Sequence, residues 1–115
     1  MKKLNYSEED FININKNSIE LLDEVRNEYE KDNIPIVLNA SIGPRGDGYN
    51  PTNIFTPEES FNYHSKQIEI LRKTNVDMIT ALTYNYPNEA IGIVQAAKHF
   101  HLHLKLMEIY QLVKL

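Results

Sequence analysis

Apolar residues recur at helical spacing from about Glu8 to Lys31, with Phe11, Ile14, Leu21, Leu22, Val25 and Tyr29 along one stripe. Ser7 ahead of Asp10 supplies an N-cap and an acidic first turn. Pro35 closes this helix, because the residue before a proline is pushed out of the helical region. The pattern then shortens. Ile36-Val37-Leu38-Asn39-Ala40-Ser41 is a brief apolar run rich in branched side chains, which predicts a strand buried on both faces. Three Gly and two Pro between Gly43 and Pro51 predict a long shaped loop. Thr56-Pro57-Glu58-Glu59 then joins a cap, a proline at the first helical position and a glutamate at the third, a strong helix start. That helix sets Phe61, His64, Ile68 and Leu71 on one face and ends near Lys73-Thr74. A second strand is predicted over Val76–Thr83, a turn over Tyr84–Pro87, and a third helix over Asn88–His99 with Ala90, Ile91, Val94 and Ala97 at helical spacing.

Strands alternating with helices of this length imply an α/β unit with parallel pairing through right-handed crossovers. Two parallel strands do not by themselves make a covered sheet, so the pattern reads as part of a larger assembly. Composition narrows the class. With 115 residues and a formal net charge of -4, the chain is sized for one small domain and has no electrostatic footprint for nucleic acid. Hydrophobic residues at 42% and charged residues at 24% fit a packed globular chain. No run approaches the roughly 20 apolar residues of a membrane span, and no apolar segment follows Met1-Lys2-Lys3, so a cytoplasmic location without membrane contact is expected. The absence of Cys excludes disulfides, a thiolate nucleophile and a zinc site built on sulfur within these residues.

Several uncommon words stand in a fixed order: Asn39-Ala40-Ser41-Ile42-Gly43-Pro44-Arg45-Gly46-Asp47-Gly48-Tyr49-Asn50-Pro51, Tyr63-His64, Gln67-Ile68, Val76-Asp77-Met78 and Glu89-Ala90-Ile91-Gly92-Ile93. Over roughly Ser7 to Leu102 they resemble a subfamily of the homocysteine S-methyltransferases. The resemblance implies a (β/α)8 barrel in which thiolate-bound zinc activates the sulfur of a small-molecule thiol substrate, homocysteine, for attack on a methyl donor. Such barrels take about 250 residues, so the chain is expected to supply a partial barrel: residues 1–103, about two β/α units preceded by a helix. By the same resemblance, the opening strand with its Asp-Gly-Gly motif belongs upstream of Met1 and the zinc cysteines belong downstream of Leu115. No cofactor is expected in this chain, zinc being a feature of the full-length family. Many members carry a glutamate for the homocysteine amino group where Leu82 stands, although the most similar subfamily also lacks it.

Residues 104–115 are expected to be a frameshifted tail. Leu104 to Leu115 can be back-translated so that the neighbouring frame reads Glu-Thr-Asp-Gly-Asn-Leu-Pro-Thr-Gly-Glu-Thr, the series the family places after its next strand. A deletion not divisible by three would produce this, leaving the chain truncated and inactive and the tail unselected for folding. On that reading its removal costs little stability.

In a barrel, strand alternation directs Asn39, Ser41, Met78, Thr80 and Leu82 toward the axis, and Ile36, Leu38, Ala40, Ile79 and Ala81 toward the helices. Asn39, Ser41, Thr80 and Thr83 then gather at the C-terminal rim where barrel sites lie, with Arg45 and Asp47 ordering the adjacent loop or meeting substrate. These six are the candidate substrate-binding residues of a vestigial site, no catalytic residue being assigned; strand-end capping is their alternative. The glycine loop lacks the Lys-Ser/Thr ending of a phosphate loop. His99, His101 and His103 would share a face only in a strand, and a fraying helix end is the preferred reading. His64 reads as a packed, hydrogen-bonded histidine. A second function class stays open: a non-catalytic assembly module that self-associates through open sheet edges or complements a missing barrel half.

Overall fold

A computed structural model describes residues 4–46 and 53–108. Its elements follow in the order α1 (Glu8–Tyr29), β1 (Asn39–Ile42), α2 (Pro57–Arg72), β2 (Met78–Tyr84), α3 (Pro87–His99) and β3 (His103–Glu108). The strands form one sheet in the order β1-β2-β3, with both neighbouring pairs parallel. This is a mixed α/β fold. No described helix is long and apolar enough to cross a membrane.

Both predicted helix starts carry a reciprocal cap. Ser7 accepts from the Asp10 N–H while the Asp10 carboxylate accepts from Ser7 N–H, and Thr56 and Glu59 repeat the arrangement at α2. The first strand is shorter than its apolar run. Ile36 N–H donates to Glu30 Oε1 and Leu38 N–H to Asp77 Oδ2, so side chains take up hydrogen bonds that a neighbouring strand would otherwise receive. Nor is this strand buried on both faces: Ala40 and Ile42 are buried, whereas Asn39 and Ser41 are exposed. Alternation along β2 agrees, with Ile79 and Ala81 fully buried against the helices and Met78 and Leu82 half-buried on the other side. Leu38, Ala40, Ile42, Ile79 and Ala81 meet Ile68, Leu71, Ile93, Ala96 and Ala97 in one core.

Two helices depart from the sequence reading in phase. On α3 the buried positions are Glu89, Ala90, Gly92, Ile93, Ala96 and Ala97, while Ile91 and Val94 are each 44% exposed. The departure on α1 is larger: Ile14, Leu21, Leu22, Val25 and Tyr29, five members of its apolar stripe, are exposed, and the helix buries Asn15 and Ile19. Polar contacts select that face. Gln67 Nε2 donates to Asn15 Oδ1, Asn75 Nδ2 to Asp23 Oδ2, and Arg26 to both Asp23 and Asp77.

A third strand forms where the sequence reading stopped at two. His103, Leu104 and Lys105 alternate exposed, half-buried, exposed, and Leu104 packs against the core, so this segment meets the one-face requirement of a sheet strand. Tail residues 109–115 lie outside the described residues.

Candidate functional site

Asn39, the first residue of β1, and Thr80, the third of β2 and buried, share the sheet face away from the helices, the Thr80 hydroxyl donating to Asn39 Oδ1 at 2.8 Å. Because the ladder begins at Asn39 and Met78, the pair lies toward its N-terminal end and not at the C-terminal rim expected from the sequence. Ser41 is paired in register with Thr80 and is exposed beside them. Thr83 does not extend this row. Its backbone is left-handed, at φ 64°, the ladder slips between Leu82 and Tyr84, and its hydroxyl donates to the carbonyl of Leu82. That irregularity re-aims the chain. Tyr84 consequently turns to the helix side, 1% exposed, with its ring edge-on to His64.

Arg45 orders the loop. Its N–H donates to Glu89 Oε1 at 2.8 Å and its guanidinium lies 4.5 Å over the Phe55 ring, linking the two limbs of the segment between β1 and α2. Asp47, the sixth candidate, lies outside the described residues.

Behind the rim is a buried polar cluster that sequence reasoning did not assemble. Glu89, at the third position of α3, is fully buried and accepts at Oε1 from the Arg45 N–H and from His64 Nε2 at 2.9 Å. Burial opposes ionisation of Glu89, but the hydrogen bonds from His64 and Arg45 outweigh it and hold the carboxyl below its ordinary value. A carboxylate only accepts, so the His64 proton sits on Nε2. Ser60 donates to the Glu89 carbonyl, Tyr84 to the Gly43 carbonyl, and Tyr86 Oη accepts from the Phe55 N–H. Burial also raises the Tyr84 and Tyr86 phenols, so both stay protonated. Segment 84–89 thereby grips the loop at Gly43, Arg45 and Phe55. The available signal was Pro87-Asn88-Glu89, a helix start with an acidic third residue, whose carboxylate here serves Arg45 and His64 and not its own helix cap.

The family model described as homocysteine S-methyltransferase matches residues 1–112 of the 115. The chain belongs to the homocysteine S-methyltransferase family. No curated protein and no solved structure matches it.

The family's thiolate zinc does not fit the residues present. The sequence has no Cys, and the described residues contain no group of three His, Asp or Glu side chains that could hold a metal ion. His99 ends α3, with its ring edge-on to Phe61 and Phe100. His101 follows in a left-handed turn at φ 55°, and His103 opens β3. Three local backbones separate the three imidazoles.

Proposed function

We propose that these residues are a segment of a homocysteine S-methyltransferase-type (β/α)8 barrel that, taken alone, does not transfer methyl groups. The observation that carries this reading is the polar row of Asn39, Ser41 and Thr80 on the helix-free face of an all-parallel sheet, the face that lines the axis of a barrel, in a chain of this family. The exposed Asn39 and Ser41 offer amide and hydroxyl contacts to a small polar thiol such as homocysteine, with the buried Thr80 holding Asn39 in place. Leu82 offers no acceptor for a substrate ammonium group, and with no Cys there is no thiolate for zinc, so no chemical step is assigned to these side chains. The test is methyl transfer from S-methylmethionine to homocysteine with zinc supplied. No turnover is expected from the 115-residue chain, and zinc-dependent turnover by it alone overturns the reading. The frameshift origin of residues 104–115 is part of the same proposal. It requires that the coding DNA read Glu-Thr-Asp-Gly in the neighbouring frame, and a coding sequence without that series removes it.

A second reading, the non-catalytic assembly module, is favoured by the apolar stripe α1 leaves exposed and by the outer edges of β1 and β3, which pair with no strand among the described residues.

A further inference from the structure

We infer that the two ends of this unit fit one another, so that α1 of one copy docks on α3 of the next and the chain associates head to tail. The inference rests on the assembly reading and specifies its geometry.

At about 100° per residue, Ile14, Leu21, Leu22, Val25 and Tyr29 fill an arc of α1 about 100° wide, centred about 110° from the arc of Asn15, Ile19, Asp23 and Arg26 that meets α2, the core and the turn leading into β2. Five exposed large apolar side chains on one helix flank are more than scattered surface residues, and Leu21 is 62% exposed. Asp10, Glu24 and Glu28 border this stripe on the side away from the packed face. At the opposite end of the helical layer, α3 exposes a narrower stripe of Ile91, Val94 and Lys98 within about 60° of arc.

The two stripes complement each other in kind and in charge. Crossover helices of a parallel sheet run the same way, so a copy added in continuation of the sheet sets α1 parallel to the neighbouring α3. Glu24 and Glu28, near the C-terminus of α1, then meet Lys98, near the C-terminus of α3. The same displacement sets the outer edge of β1 beside the outer edge of the neighbouring β3, parallel as within each copy. A two-fold dimer would instead oppose α1 to α1 and bring their acidic borders together. Head-to-tail contact is heterologous and continues beyond two copies.

The test uses the full chain in sedimentation velocity, with circular dichroism to establish that each variant folds. Leu21→Asp on α1 and Val94→Asp on α3 replace exposed residues, and each is expected to weaken self-association more than tenfold. Mixed, the two variants retain one intact α3 face and one intact α1 face between them, and a 1:1 complex that grows no further is expected. Lys98→Glu is expected to weaken association up to about fivefold, the range of an exposed ion pair, with recovery when Glu24→Lys is added. A monomeric wild-type chain overturns the inference together with the assembly reading. A wild-type oligomer indifferent to Val94→Asp, or a mixture that forms no heterocomplex, overturns the head-to-tail geometry alone.

Discussion

Glu89 is the residue on which the rim loop depends, and its titration makes that dependence measurable. The carboxyl is held below its ordinary value of 4.5 in the fold, so the unfolded chain takes up its proton first as pH falls. The stabilisation from His64 and the Arg45 N–H is therefore complete above about pH 4.5 and is lost as pH drops through the lower folded value. Glu89→Gln keeps the shape but removes the ionised acceptor. A loss of about 2 kcal/mol at neutral pH is expected, the range for hydrogen bonds to a charged group, with a flatter decline of stability below pH 4.5 than in the wild type. Urea unfolding across that pH range checks both. The sequence suggested half of this cluster: His64 sits on the apolar face of α2 and reads as packed and hydrogen-bonded, but its partner is 25 residues away and is legible only once α2 and α3 are side by side.

Among the elements, caps and periods were legible where local chemistry decides them. Ser7–Asp10 and Thr56–Glu59 place helix starts within a few residues, and strand alternation assigned Asn39, Met78 and Leu82 to one face and Ala40, Ile79 and Ala81 to the other. What periodicity leaves open is which stripe of an amphipathic helix finds a neighbour. For α1 the answer came from Gln67, Asn75 and Asp77, all distant in sequence. For α3 it came from Gly92. A Cβ there would overlap the Ser60 side chain and lie 2.5 Å from the Pro57 carbonyl oxygen, so the phase of α3 is set by close approach to α2 rather than by its largest apolar residues. Gly92→Ala improves intrinsic helix propensity by about 1 kcal/mol, yet it must push two helices apart. A net loss of about 1–3 kcal/mol is expected, the usual cost of overpacking, read as a lowered denaturation midpoint with α-helical circular dichroism retained.

For the whole molecule, the β3 segment decides how far these residues hold together as one unit. Reading residues 104–115 as a frameshift product predicts that their removal is nearly neutral. The ladder between β2 and β3 argues the opposite. It pairs β2 from Met78 to Tyr84 on the side away from β1, and Leu104 packs half-buried against the core. Deleting everything after His103 leaves β2 as an edge and uncovers part of that core. A loss of at least about 2 kcal/mol is expected, the lower range for emptying a buried aliphatic position, with greater aggregation from the new edge. Origin and packing are separable here. A reading frame acquired by chance can supply Leu104 and Lys105 in the alternation that a strand continuing from His103 requires, since a one-face pattern makes far weaker demands than a jigsaw core. A truncated chain as stable as the parent in chemical denaturation would show that β3 adds nothing to the fold, whatever the coding DNA reads.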